Sequence, residues 1–144
     1  MIPNFQGDLL PIGEHETTLE EFEKKFVYNP KRQELFRGLK KLIDDLKVIG
    51  CKAIWIDGSF VTKKQLPKDI DICWDNAGID FGFVKEIMPI LMNDSPARLA
   101  QQNIYKADIF PAHIPEVSSK KFFKDFFQID KNTGQQKGII KINL

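Results

Sequence analysis

The sequence predicts a single α/β domain, and three observations lead to that prediction. The chain has 144 residues, which is close to the commonest size of one domain. Hydrophobic residues make up 42% of it, so a core can form without disulfides or metals acting as staples. Candidate strands alternate with helical segments along the chain, a pattern typical of strands and helices packed in layers.

The N-terminal part of the chain predicts an arm followed by two helices. Residues 1–16 contain several prolines and glycines among apolar residues, so we expect an extended arm that packs on the domain. Thr18 and Glu21 have the spacing of a capping box and predict a short helix that ends before Tyr28-Asn29-Pro30. Leucines three and four residues apart across 31–48 predict an amphipathic helix.

Three apolar segments in the middle of the chain predict strands. They cover residues 52–57, 69–74 and 104–110, and a helical run over 81–92 separates the second from the third. Asp80 is expected to cap that helix. Strands that alternate with helices in this way favour a layered α/β arrangement.

The C-terminal part of the chain predicts one more helix and one more strand. Ser118 or Ser119 is expected to cap a helix that runs through Phe127, with its phenylalanines in the core. A turn over 130–134 leads to a last strand over 138–144, whose alternate apolar residues face one side. No repeat or linker predicts a second domain.

Composition and charge argue against several classes of protein. The 21 basic and 20 acidic side chains give a net charge of +1, which is not the charge of a protein that coats nucleic acid. Cys51 and Cys73 lie in or beside apolar segments, as reduced core thiols do. His15 and His113 stand alone and predict surface or capping roles, without the spacing of a zinc site. Because we find no signal sequence and no apolar run of membrane-spanning length, we predict a soluble, cytoplasmic protein.

Asp69 and Asp71 are the most informative residues, because they interrupt an apolar strand. Side chains two apart in a strand point to the same face, so the two carboxylates should lie close together while Ile70 and Ile72 enter the core. Like charges at that distance repel each other. A hard cation such as Mg²⁺ removes the conflict, since carboxylates and substrate phosphates are its usual ligands. An edge strand with one solvated, charged face is the alternative explanation.

Gly58 and Ser59 follow the preceding strand and add a second feature. Glycine permits a close approach of backbone to ligand, and the serine hydroxyl and nearby amides suit an anionic oxygen. A glycine-serine pair alone is an ordinary turn, but here nine residues separate it from Asp69, which is a more specific pattern. Asp57, just before the pair, is expected to be a turn carboxylate, and assistance to the metal site is the alternative.

Residues 56–72 resemble the signature of the polymerase-beta-like nucleotidyltransferase superfamily, which is an apolar residue, Gly-Ser, a spacer and Asp-x-Asp. The resemblance implies a nucleotidyltransferase fold, with a short mixed sheet, helices packed mainly on one side and an acidic cleft at the sheet's edge. It implies that Asp69 and Asp71 hold Mg²⁺ or Mn²⁺. It also implies that Gly58 and Ser59 bind a nucleoside triphosphate.

The superfamily takes a third carboxylate from a later strand, and Asp108 is the expected one. It lies alone within an apolar strand that follows the intervening helix. Asp75 is the alternative, but it requires the second strand to continue by one residue. The resemblance then assigns catalysis and the binding of two divalent ions to Asp69, Asp71 and Asp108.

The loop after the glycine-serine pair departs from the superfamily. Small bacterial members usually have an arginine-rich turn there and a serine before the first aspartate, whereas this loop contains Lys63, Lys64 and Lys68. Lysines bind phosphate as point charges, without the bidentate fork of arginine. We expect these lysines to bind nucleotide, and a solvent-facing basic loop is the alternative.

The resemblance implies a metal-dependent transferase that moves a nucleoside monophosphate from ATP or another nucleoside triphosphate to a protein, RNA or small-molecule acceptor. Residues 10–17 also resemble the arm of small, largely uncharacterised bacterial and phage-associated nucleotidyltransferase-like proteins. Minimal members often act in toxin–antitoxin pairs on a partner protein or transfer RNA, an analogy at the level of the family. The alternatives are a catalytically silent, antitoxin-type binding module and an RNA-directed transferase toxin whose basic patch combines Lys120, Lys121 and Lys124 with the lysines of the loop.

Overall fold

A computed structural model describes residues 1–144 and confirms the predicted α/β class. The chain forms five α-helices and one five-stranded sheet. The helices are α1 (Leu19–Phe26), α2 (Pro30–Val48), α3 (Phe81–Ile87), α4 (Ser95–Tyr105) and α5 (Phe123–Phe126). The strands are β1 (Gly13–Thr17), β2 (Ala53–Asp57), β3 (Ile70–Trp74), β4 (Ala107–Pro111) and β5 (Gly138–Asn143). Single turns of 3₁₀ helix cover Ser59–Val61 and Pro89–Leu91.

The sheet is mixed, with its strands in the order β1-β5-β2-β3-β4. β2 runs antiparallel to both of its neighbours, whereas β1 with β5 and β3 with β4 form parallel pairs. β3 therefore lies inside the sheet, between β2 and β4. This position rules out the edge strand that was the alternative explanation for Asp69 and Asp71.

The two faces of the sheet are covered differently. On one face, isoleucines of the strands join residues of α1 to α4 in a core of 26 buried residues. On the other face, a cluster of five buried residues that includes Trp55 and Cys73 packs against Phe123 and Phe127. Helices thus lie mainly on one side, as predicted, and Cys51 and Cys73 are both buried and free. The second face, less completely covered, is the one that presents the site.

Local sequence signals place the first two helices as predicted. The Thr18 hydroxyl accepts a hydrogen bond from the Glu21 amide at 3.1 Å, and Asn29 caps α2 by accepting from the Arg32 amide at 2.9 Å. The Glu21 carboxylate accepts from Thr17 Oγ1 rather than returning to the Thr18 amide, so only half of the capping box forms. No helix of the fold combines the length and the apolar character that crossing a membrane requires.

Two elements differ from their predicted bounds, the first through a contact distant in sequence and the second through an unrecognised helix end. Gly13–Thr17, expected in the arm, forms β1 by pairing with β5. The third predicted strand begins at Ala107 rather than at Ile104, because Ile104 lies in α4. Asp94 caps that helix, and it ends at Lys106 in the left-handed conformation, with a φ of 57°, where glycine is usual. Lysine at this stop makes the helix end hard to recognise in the sequence.

The helix predicted over 81–92 is shorter in the structure. Asp80 caps α3 as predicted, since its side chain accepts a hydrogen bond from the Gly82 amide at 3.1 Å. Pro89 follows the end of α3, and the residue before a proline is disfavoured in the helical conformation. The remainder of the predicted helix therefore becomes a separate 3₁₀ turn.

The C-terminal helix is also shorter than predicted, and its predicted cap is wrong. Ser118 and Ser119 donate hydrogen bonds to the Glu116 carboxylate in the preceding loop, so neither caps α5. The helix has four residues. Phe122, expected in the core, is 43% exposed, whereas Phe123 packs on the smaller cluster of the second face.

Candidate metal and phosphate site

The structure brings the three predicted site aspartates together. Asp71 and Asp108 are directly opposite each other in the parallel pair of β3 and β4, and Asp69 lies just before β3. One carboxylate oxygen from each of the three lies within 4.8 Å of the others. All three residues are half-buried. Oxygen donors at this spacing are a suitable ligand set for a hard divalent cation, and their binding of metal stays a prediction.

Burial and crowding make the cluster electrostatically costly in the absence of a cation. Burial raises the pKa of the Asp71 carboxyl from 3.8 to about 7, and the negative charges of the three neighbouring aspartates act in the same direction. One of those neighbours is Asp57, for which a role in the site was only the alternative. A bound cation would restore the charged form of Asp71 at neutral pH.

Asp57 is a fourth carboxylate, and the structure corrects its predicted role as a turn residue. It ends β2 directly opposite Asp71 in the antiparallel pair and is only 3% exposed. Burial raises the pKa of Asp57. The Lys137 ammonium, which lies 3.1 Å from Asp57 Oδ1, opposes this increase in pKa. The sequence analysis did not select Lys137, because the pairing of β5 with β2 that brings it here is a contact between distant segments.

Gln102 of α4 joins two of the carboxylates. Its Nε2 donates to Asp108 Oδ1 at 2.8 Å and to Asp69 Oδ2 at 3.2 Å. A side-chain amide supplies hydrogen-bond donors without a charge, so Gln102 orients these carboxylates and leaves their negative charge for a cation. Gln102 was not among the predicted site residues, because α4 was not predicted. Asp94 followed by Ser95 and Pro96 was the signal that could have found this helix.

Gly58 and Ser59, here called the glycine-serine turn, connect β2 to the site. Gly58 has a φ of 78°, a left-handed conformation that favours glycine. A Cβ added to Gly58 would lie 3.0 Å from Asp71 Cγ and still closer to its Oδ2. Glycine is therefore required here both by the backbone conformation and by the approach of Asp71. Ser59 is half-buried and begins the 3₁₀ turn.

Arg32 of α2 holds the loop that follows the glycine-serine turn. It is completely buried, and its guanidinium lies 4.7 Å from the centre of the Tyr28 ring. The guanidinium donates hydrogen bonds of 2.6–3.0 Å to four main-chain carbonyls, those of Phe26, Phe60, Thr62 and Lys64. The signal was present in the sequence, since Arg32 is three residues before Leu35 on the apolar stripe of α2. A charged residue on an apolar stripe indicates a buried side chain that makes specific polar contacts.

The three predicted nucleotide-binding lysines, Lys63, Lys64 and Lys68, are exposed on this loop. The Lys63 ammonium is 5.8 Å from the centre of the Phe5 ring in the arm. Their exposure fits both phosphate binding and the alternative of a solvated basic loop. Phosphate binding by these lysines therefore stays a prediction.

Asp75, the alternative third carboxylate, lies beyond the C-terminal end of β3, whereas Asp69 and Asp71 lie at its start. Asp75 Oδ1 accepts a hydrogen bond from the Ala77 amide at 3.0 Å and lies 3.1 Å from His113 Nε2. The Asp75 carboxylate is therefore engaged in contacts outside the cluster. The cluster of carboxylates therefore takes its third member from β4.

The stability of the metal-free protein is expected to fall as pH rises. The pKa of Asp71 is raised in the folded state, so the folded protein binds the proton more tightly than the unfolded chain does. The stability that Asp71 contributes is then fully present below the ordinary pKa of 3.8 for this group and is lost as pH rises towards about 7. We expect the free energy of unfolding in urea, measured with chelator, to decrease by about 1–2 kcal/mol between mildly acidic and neutral pH.

The Asp71→Asn variant provides the test of that pH dependence, and Asp44→Asn is its control. Asp44 is exposed on α2, away from the cluster, so its variant should follow the wild-type curve. The Asp71→Asn curve should be flatter. If the free energy of unfolding changes equally with pH in the wild type and in Asp71→Asn, the raised pKa of Asp71 is not the cause of the pH dependence.

Fold and site together define a mixed α/β domain that presents clustered aspartates beside a glycine-serine turn. The chain belongs to the DUF6932 family, which is described as a family of unknown function and matches residues 3–143. No curated protein and no solved structure matches the chain.

Proposed function

We propose that the chain is a Mg²⁺-dependent nucleotidyltransferase of the polymerase-beta-like type. The observation that supports this best is the convergence of Asp69, Asp71 and Asp108 within 4.8 Å. The glycine-serine turn lies against this cluster, because Gly58 is in close contact with Asp71. In this reaction an acceptor hydroxyl bonds to the α-phosphorus, loses its proton and displaces pyrophosphate, which needs such a metal site next to a turn that binds phosphate.

The residues fit a hard divalent cation, Mg²⁺ or Mn²⁺. The three aspartates offer only oxygen donors, and burial with mutual repulsion already raises the pKa of Asp71. When bound, the metal neutralises phosphate charge and lowers the pKa of the acceptor hydroxyl. Gly58 and Ser59 bind the triphosphate through amides and a hydroxyl, while Gln102 keeps the other two carboxylates aligned. Catalysis then depends mainly on positioning and charge neutralisation.

The acceptor is a macromolecule or small molecule that reaches the open face beside the cluster, and we place the protein in the cytoplasm. A partner protein is favoured over transfer RNA by the state of the predicted basic patch. Lys124 is paired with Glu14 at 3.0 Å and with Asp125 at 3.1 Å, so it adds little positive charge to Lys120 and Lys121. Action within a toxin–antitoxin pair is proposed by analogy with minimal members of the superfamily.

Transfer of radiolabel tests this function. The protein is incubated with each of the four nucleoside triphosphates labelled at the α-phosphate, Mg²⁺ and a lysate of its own host as the source of acceptor. We expect label to move to an acceptor and the transfer to stop when a chelator removes Mg²⁺. The double variant Asp69→Asn/Asp71→Asn should not transfer label, and Asp44→Asn should transfer it like the wild type.

The same experiment separates the enzyme from a catalytically silent binding module. A binding module predicts no transfer by the wild type, no binding of Mg²⁺ with nucleotide, and equal capture of a partner protein by the wild type and the double variant. That set of results would contradict the enzymatic function.

A further inference from the structure

Lys137 is brought beside the glycine-serine turn by the sheet. β5 pairs antiparallel with β2, from Ala53 opposite Asn143 to Ile56 opposite Ile140. Lys137 directly precedes β5, and its ammonium lies 3.1 Å from Oδ1 of Asp57, the residue just before Gly58. The residue that enters β5 therefore lies next to the turn proposed to bind phosphate.

The Lys137 side chain is on the same face of the sheet as the carboxylates. Alternate residues of a strand share a face, and Ile139 belongs to the cluster around Trp55 on the second face. Two residues further, the Lys141 ammonium lies 5.4 Å from the centre of the Trp55 ring on that face. The Lys137 ammonium itself lies 3.1 Å from Asp57 Oδ1.

Lys137 is held in place, unlike the lysines of the loop after the turn. Its side chain is 14% exposed, and its amide donates to the Gln128 carbonyl at 2.8 Å. A buried carboxylate, Asp57, fixes the ammonium and leaves it further N–H donors for another anion. Fixing a long side chain in advance lowers the entropy lost when a ligand binds.

A triphosphate adds several negative charges to a site that already has four aspartates, so a fixed cation there favours its binding. We propose that Lys137 binds a phosphate group of the triphosphate held by the glycine-serine turn, and that Asp57 positions it. This inference rests on the proposed function, whose binding of a triphosphate it specifies. Lys137, just before β5, thus takes the phosphate-binding role that was predicted for the exposed lysines of the loop.

Calorimetric titration with inorganic tripolyphosphate and Mn²⁺ tests the inference. Lys137→Met should weaken the binding of tripolyphosphate in the presence of Mn²⁺ by about tenfold or more, because a charge-assisted contact is lost. Its affinity for Mn²⁺ alone should be unchanged or higher, since a positive charge near the carboxylates is removed. Lys137→Arg should keep most of the tripolyphosphate affinity. Lys131→Met, at an exposed lysine of the preceding loop, is the matched control and should bind like the wild type.

A second variant guards against poor folding. Lys137→Met leaves the buried Asp57 carboxylate without its partner, so the double variant Asp57→Asn/Lys137→Met, which removes both charges, is titrated as well. It should also bind tripolyphosphate about tenfold more weakly than the wild type. Wild-type affinity in either variant would overturn the inference. An equal loss of Mn²⁺ and tripolyphosphate binding in both variants would also overturn it, because that result indicates a purely structural role.

Failure of the proposed function gives a different result from failure of the Lys137 inference. If the wild type binds no Mn²⁺, the proposed metal site is wrong, and tripolyphosphate is then titrated in metal-free buffer. If Lys137→Met weakens this metal-free binding of tripolyphosphate about tenfold, the result supports phosphate recognition by Lys137 without the metal site. Absence of binding, or binding that Lys137→Met leaves unchanged, overturns it.

Discussion

Replacing Asp71 by asparagine is expected to reduce metal-dependent transfer of nucleotide by about a thousandfold or more. Asp71 is the member of the cluster that faces both Asp57 and Asp108 across the sheet. Its carboxylate also lies against Gly58, so it touches both the proposed metal site and the turn proposed to bind phosphate. Loss of one such charge from a preorganised site typically costs several kcal/mol of transition-state stabilisation.

The same substitution should stabilise the metal-free fold at neutral pH, which separates loss of chemistry from loss of structure. Asparagine removes the negative charge that burial and the neighbouring aspartates oppose. Single-turnover transfer and urea unfolding are measured on the same preparation, with Asp44→Asn as the control. A variant that is both destabilised and inactive would contradict the account, because inactivity would then reflect misfolding.

Replacing Arg32 by methionine is expected to destabilise the protein by about 3–5 kcal/mol, a decrease of about 10–17 °C in melting temperature. Methionine fills similar space but donates no hydrogen bonds. The four carbonyls that the guanidinium binds therefore lose their donor. Two of them, those of Phe60 and Thr62, belong to the backbone just after the glycine-serine turn. Binding of tripolyphosphate with Mn²⁺ should weaken in the folded variant, because the turn loses its support.

Arg37→Met is the matched control for this prediction. Arg37 lies on the same helix but is exposed, so its loss should change the free energy of unfolding by less than about 0.5 kcal/mol. Thermal and urea unfolding of the two variants are compared with the wild type. Equal stability of Arg32→Met and the wild type would show that the buried guanidinium is not required to hold the loop.

Local patterns were sufficient to predict the parts of the fold that depend on local physics. Leucine spacing identified α2, and alternation identified the core-facing Ile70 and Ile72 and the opposite face of Asp69 and Asp71. The single acidic residue in the third apolar strand identified Asp108. These predictions hold because side-chain direction follows from the helical and strand periods alone.

The parts that the sequence did not predict depend on contacts between distant segments or on a helix end without its usual signal. β1 exists only because β5 lies beside it, and α4 ends at Lys106, without the glycine that usually marks a helix end. Gln102 and Lys137 enter the site from α4 and from the start of β5. Neither residue has a local pattern that distinguishes it from an ordinary surface side chain, so only the assembled sheet identifies them.

The central claim is that three aspartates from two neighbouring strand segments bind divalent metal beside a phosphate turn. Anomalous diffraction from a crystal soaked with Mn²⁺ and a non-hydrolysable nucleoside triphosphate tests it most directly. We predict a manganese peak about 2.2 Å from carboxylate oxygens of Asp69, Asp71 and Asp108, with the triphosphate at Gly58 and Ser59. A fully occupied nucleotide elsewhere on the protein, or no manganese peak at these carboxylates, would contradict the account.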